Sequence, residues 1–277
     1  MPSRRTVLRG TLASLLVPDV ATTATASPAS SPSRILIDVG GRFPKHALTG
    51  TFALLSVQDD TLLIHNPARA DQEFLPASTF KVPNSLIALE AGAVADENVV
   101  LKWDAKKHSV GPQSSWKDQS LRTALPASAV WFYQEMARRV GETTMKEWLD
   151  RIGYGNRSTA GGLDQFWLSG GLRITPRQQM EFVRRVYADE LPFSERTRGI
   201  VKDILVLETT ADYVLRGKTG VARPDGQPGV GWFVGWIERG SRAWIFVSNI
   251  AMDANTDLAL RKSVALEILA DLGLLGG

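Results

Sequence analysis

Two apolar runs, "GTFALLSV" over residues 50–57 and "TLLIHN" over 61–66, flank Gln58-Asp59-Asp60 and predict a β-hairpin. The spacing of apolar positions then lengthens to three and four. It predicts a helix from Ser78 to Gly92, with Pro83 tolerated in the first turns and Gly92 as its stop. Helical spacing recurs in "ASAVWFYQEMARRVG", "TTMKEWLDRIG", "TPRQQMEFVRRVYADE" and "SERTRGIVKDILV". The final third returns to strands in "DYVLRGKTG", "GVGWFVGWIE" and "SRAWIFVSNIA", with Arg239-Gly240 turning between the last two and a closing helix over 257–273. Apolar residues at successive positions of "WFVGWI" mark a central strand covered on both faces. Strands at both ends and helices between them predict an α/β fold of the α+β kind: one antiparallel sheet from both termini, flanked by helices, with a helical region inserted between its halves.

Composition narrows the function more than the fold. The 277 residues are 44% hydrophobic and 22% charged, enough for one large core or two modest ones. The net charge of +3 is mild and no block of like charge occurs, so no nucleic-acid partner is implied. The absence of cysteine excludes disulfides, iron–sulfur clusters, thiol nucleophiles and lipoprotein attachment. His46, His65 and His108 lie far apart without metal-binding spacing, so no metal is expected.

The N-terminus has the layout of an export signal over residues 1–26: a basic start, a short apolar stretch, and Ala24-Thr25-Ala26 as a cleavage site. Arg4-Arg5 resembles a twin-arginine signal; the alternative is a disordered basic tail. An N-terminal joint over 27–44, Ser/Pro/Ala-rich over 27–33, leads to a single domain over 45–277. No later stretch approaches about 18 uninterrupted apolar residues, so no stable membrane association is expected, and the exported protein is placed in the periplasm.

The helix from Ser78 poses a chemical problem. Its first turn, Ser78-Thr79-Phe80-Lys81, sets a lysine among Phe80, Val82, Leu86 and Ile87, where a charge is costly unless paired or removed. Burial lowers a lysine's pKa, which makes Lys81 a candidate base for Ser78 at a helix N-terminus, where free N–H groups favour an oxyanion. S-x-x-K alone is weak evidence: about one copy is expected by chance in such a chain, and Ser114-Ser115-Trp116-Lys117 is a second. Taken alone, Ser78 reads as a helix cap and Lys81 as a side chain reaching for solvent.

Three further elements shift that balance. Lys218-Thr219-Gly220 ends a predicted strand, where lysine and threonine can hold a carboxylate and glycine permits close approach of substrate. Ser128-Ala129-Val130 opens a predicted helix and offers a second hydroxyl, or merely another cap. Tyr154-Gly155-Asn156 has the make-up of a turn.

With Phe166-Trp167-Leu168, the order of these motifs resembles the class D, or OXA-type, serine β-lactamases from about residue 45 to 275, through "GVGWFVGWIE" and "LALRKSV". Class A enzymes pair S-x-x-K with S-D-N and fit less well. The resemblance implies a serine β-lactamase/transpeptidase-like fold and hydrolysis of penicillin-type antibiotics through an acyl-enzyme on Ser78. It implies that carbon dioxide or bicarbonate carboxylates Lys81, that Trp167 donates to that carbamate, and that Phe80, Val130 and Leu168 wall it off. Ser128 would pass a proton to the lactam nitrogen. The backbone N–H groups of Ser78 and Val221 would form the oxyanion hole, and Lys218, Thr219, Gly220 and Arg261 would bind the substrate carboxylate. Tyr154, Asn156 and Trp116 would border the pocket, although Trp116-Lys117-Asp118 departs from the family's W-x-x-D. No other cofactor is implied, and the protein would act as a monomer or homodimer. A β-lactam sensor domain and a cell-wall transpeptidase or carboxypeptidase stand as alternatives.

Overall fold

The structure, a computed structural model, describes residues 33–36, 41–107, 111–224 and 228–276. The export signal of residues 1–26, including Arg4-Arg5 and its cleavage site, lies outside the described residues, as does His108. Strands β1 (Ser33–Leu36), β2 (Gly50–Ser56), β3 (Thr61–His65), β4 (Val206–Thr209), β5 (Val214–Ala222), β6 (Gly229–Arg239) and β7 (Arg242–Met252) form one sheet in the order β1-β3-β2-β7-β6-β5-β4. The helices are α1 (Arg42–Lys45), α2 (Pro67–Ala70), α3 (Lys81–Glu90), α4 (Leu121–Ala127), α5 (Val130–Val140), α6 (Glu142–Ile152), α7 (Pro176–Tyr187), α8 (Glu195–Ile204) and α9 (Leu260–Asp271).

The predicted hairpin is β2–β3, with Leu54 opposite Leu63. Strand β2 then pairs with β7, which joins the N-terminal strands to the C-terminal ones in a single sheet. The predicted central strand is β6, buried from Gly229 to Ile237. Val230, Trp232, Val234 and Trp236 enter the larger core under the helical region, while Phe233 and Ile237 enter a smaller core under α9. A strand apolar on both faces is stable only with helices on both, and α7 and α9 supply them. Helix α7 starts where the sequence dictates: Thr175 caps it, Gln178 closes the capping box, and Pro176 occupies the first turn.

The structure departs from the predicted pattern at the sheet's margins. Strand β1 pairs parallel to β3. All of β1 and the first three residues of α1 fall in the stretch read as a joint, yet β1 extends the sheet and α1 is tied to α9 by Arg42 bonding Glu267 and Asp271. Val206, predicted as the end of a helix, begins edge strand β4 instead. Its four residues are all exposed, so no burial pattern marks it and pairing with β5 alone defines it.

Candidate active site

The helix predicted from Ser78 divides into two pieces: a single 3₁₀ turn, Ala77–Phe80, and α3, which begins at Lys81. Ser78 therefore lies one turn ahead of the α-helix and does not cap it. Ala77, just before it, is left-handed at φ +49°, which costs a non-glycine residue about 1 kcal/mol. Its N–H donates to the carbonyl of Trp167 at 3.0 Å, which helps hold this conformation. Thr79 Oγ1 donates to the Pro76 carbonyl and accepts from the buried Gln179 side chain at 2.6 Å. The half-buried Ser78 is thus presented on a turn fixed at both flanking residues.

Lys81 is fully buried, and its Nζ donates to Ser78 Oγ at 2.7 Å. Burial first, and then the nearby Lys218 ammonium, hold its pKa well below the ordinary lysine value. A neutral amine can reverse that bond and accept the serine proton. The Tyr133 ring lies 5.4 Å from Nζ, and its hydroxyl bonds Ser85 Oγ, which donates to the Lys81 carbonyl. Neither Ser85 nor Tyr133 belongs to a motif, and only their shared burial behind Lys81 reveals them.

Phe80, Trp167, Phe166 and Tyr154 form one aromatic cluster, with Phe80 stacked on Trp167 at 5.2 Å between ring centres. Trp167 is wholly buried, and its Nε1–H meets no protein acceptor. Such a donor is costly unless something accepts from it. Leu168 is partly buried against the same core, and Val130 is buried at the start of α5. Tyr154 is fully buried, and desolvation pushes its phenol up from the usual tyrosine value. Asn156, expected beside the pocket, is engaged within its own loop. Its amide donates to the Gly171 carbonyl at 2.9 Å and accepts from Arg173 N–H at 3.0 Å, so it closes the loop that carries Trp167.

Ser128 is not a helix N-cap either; it closes α4 at its C-terminal end. It is left-handed, at φ +52°, between α4 and α5, with its Oγ accepting from Lys218 Nζ at 3.2 Å. The Lys-Thr-Gly motif lies within β5, not at its end. Gly220 serves the fold first: a Cβ there would lie 3.1 Å from the Pro76 carbonyl and 3.3 Å from Thr79 N, so glycine lets β5 pack against the nucleophile's turn. Strand β4 pairs with β5 only as far as Arg216, leaving Thr219 to Val221 without a strand neighbour on that side.

Lys218 is buried, and desolvation together with Arg261 pulls its pKa down to about 7. Arg261, half-buried, donates Nε–H to the Leu258 carbonyl and feels Arg223, a cation no motif identified. Among the described residues no carboxylate lies within ion-pair distance of Lys81, Lys218 or Arg261. A half-buried cationic strip without counter-charge is a site for an anion. Trp116 stacks on Trp103 at 6.2 Å and packs on the edge of the larger core. Among the described residues no group of three or more His, Cys, Asp or Glu converges on a metal-sized site, and no helix is long and apolar enough to cross a membrane. His46 bonds Glu267 and His65 stacks on Phe43.

A half-buried serine paired with a buried lysine beside a free strand edge, in a mixed sheet-and-helix fold, is the arrangement of the serine acyl-transfer enzymes that act on penicillin-like compounds. The model of the penicillin-binding protein transpeptidase domain matches residues 50–270. The chain is 40% identical to β-lactamase OXA-19 of Pseudomonas aeruginosa, over 85% of this chain and 88% of that one. It is 41% identical to β-lactamase OXA-48 of Klebsiella pneumoniae, over 82% and 84%. A crystal structure of the class D β-lactamase YbXI from Nostoc superposes with a TM-score of 0.82 at 41% identity, covering 86% of this chain and all of that one. The chain belongs to the class D β-lactamases.

Proposed function

We propose that the protein hydrolyses the amide bond of β-lactams through an acyl-enzyme on Ser78. The observation that carries this is the uncompensated burial of Lys81 with its nitrogen 2.7 Å from the serine oxygen. No structural purpose requires a lysine there, whereas a base does.

The surroundings of Lys81 suit its carboxylation. A desolvated amine adds to carbon dioxide and releases a proton, and the buried Nε1–H of Trp167 is a donor in need of an acceptor. Carboxylated, Lys81 supplies an anionic oxygen as general base. Ser78, relieved of its proton, attacks the lactam carbonyl while the N–H groups of Ser78 and Val221 stabilise the oxyanion. Ser128, bonded to Lys218, passes a proton to the departing ring nitrogen. Lys218, Thr219 and Arg261 hold the substrate's carboxylate, with Gly220 giving it room. Phe80, Leu168 and Val130 limit water near the lysine, while Trp116 and Tyr154 shape the pocket's margins. No metal enters this scheme.

The test is turnover of a chromogenic cephalosporin with and without bicarbonate. Sustained turnover stimulated by bicarbonate is expected. Stoichiometric acylation without turnover would overturn the proposal in favour of a sensor. Residues 1–26 are proposed to direct export to the periplasm, where the enzyme acts as a monomer or homodimer. Replacing Arg4-Arg5 with Lys-Lys should abolish periplasmic activity if the route is twin-arginine.

A further inference from the structure

Beside the carboxylate-binding strand lies a cavity of about 190 Å³, bordered by Lys218 and Thr219 and otherwise by residues that the proposed reaction does not use. Leu125 and Pro126 at the end of α4, Ile204 of α8 and Leu207 of β4 line it together with Thr219 and Lys262. Leu207 is 39% exposed, a large apolar side chain left open at this point. The cavity exists because β4 stops pairing at Arg216, so nothing from the sheet covers the flank of β5 beyond it.

Lys262 follows Arg261 on α9, about 100° further round the helix. Arg261 is held by the Leu258 carbonyl. Lys262 is exposed, and among the described residues its ammonium has no carboxylate within ion-pair distance and no hydrogen-bond partner. Lys218, which also borders the cavity, is engaged with Ser128 and the Thr219 carbonyl. The cavity therefore joins the carboxylate anchor on one side and offers an apolar wall and one free cation on the other.

We propose that this cavity is a specificity subsite for an anionic arm on the ring atom next to the carboxylate-bearing one, as in a cephalosporin whose substituent ends in a carboxylate or sulfonate. The stem of the arm packs on Leu125, Pro126 and Leu207, and its charge meets Lys262. The inference rests on the hydrolase function proposed above, with the ring carboxylate at Lys218, Thr219 and Arg261. Penicillins carry no such arm and do not reach the subsite.

The test compares two cephalosporins with the same acyl side chain, one with an anionic and one with a neutral arm, together with the matching penicillin. In Lys262→Ala, KM for the anionic cephalosporin should rise about two- to fivefold, the range of an exposed ion pair. Lys262→Glu should raise it further, Lys262→Arg should restore it, and added salt should shrink the difference. An equal change for all three substrates, or none, would overturn the subsite. Equilibrium binding of the two cephalosporins to Ser78→Ala separates this outcome from failure of the hydrolase function. There the preference for the anionic arm should be present and vanish with Lys262→Ala, whether or not the wild type turns over. Equal binding of both arms, or a preference that survives Lys262→Ala, would again overturn it.

Discussion

The chain contains Ser-x-x-Lys twice, and the two copies share more than their letters. Ser78 and Ser114 both sit in a 3₁₀ turn, Ala77–Phe80 and Gln113–Ser115. Beyond the turn they diverge. The first continues directly into α3, so that Lys81 falls under the aromatic cluster and against Ser78. The second stops at Trp116, whose backbone at φ −79° and ψ 71° does not continue as a helix, leaving both Ser114 and Lys117 exposed. Local conformation is common to both; burial is not. A lysine in water is a cation, and one stripped of water beside a serine is a base, so packing above the turn creates the chemistry.

The difference can be broken most severely at the nucleophile. Ser78→Ala should lower kcat for a penicillin by at least about 10⁴-fold, whereas Ser114→Ala should stay within about twofold of wild type. Comparable losses in steady-state assays would erase the distinction. Next comes the base: Lys81→Ala should trap the acyl-enzyme and slow its hydrolysis by about 10³-fold, with bicarbonate giving no stimulation. Lys117→Ala should deacylate normally, and mass spectrometry of the protein mixed with penicillin reads both outcomes.

A smaller effect is expected at the group that covers only the first copy. Trp167→Phe keeps the ring stacked on Phe80 but removes the Nε1–H, so kcat should fall about ten- to a hundredfold and more bicarbonate should be needed for half-maximal activity. An unchanged bicarbonate requirement would detach Trp167 from the lysine.

The mildest consequence concerns stability. The unfolded chain holds a proton on Lys81 up to the ordinary lysine value of 10.5, while the folded protein releases it at lower pH. Between those two values the unfolded state binds more protons, so stability rises with pH, by at most about 1.4 kcal/mol per unit for this group. Below the folded value the contribution no longer changes. In buffer free of carbon dioxide, Lys81→Met should therefore flatten the rise seen by urea melts from neutral pH towards 10.5, and Lys117→Met should not. Equal slopes for all three proteins would mean that Lys81 stays charged when folded.

The periodicity of the chain specified its β2–β3 hairpin, the helices α5 to α8 and the two-sided strand β6, because each is held by a continuous apolar face that the spacing displays. It missed β4, whose exposed residues have no such face, and the parallel pairing of β1, which is set by a neighbour distant in sequence. The motifs likewise identified Ser78, Lys81, Ser128 and Lys218, which the structure brings into contact in two pairs. They did not reveal that Ser128 closes α4 in a left-handed turn, that Gly220 also lets β5 pack on the nucleophile's 3₁₀ turn, or that Asn156 closes a loop, since these are tertiary matters.

By itself, then, the sequence determined which residues are chemically capable and the broad architecture that carries them: side-chain type and apolar spacing are properties of the chain alone. Which serine–lysine pair is desolvated, where Arg223 and Lys262 stand relative to Lys218, and which donor at Trp167 is left wanting were decided only by the folded structure. Desolvation and uncompensated charge arise from what surrounds a group in space, and spacing along the chain does not encode them.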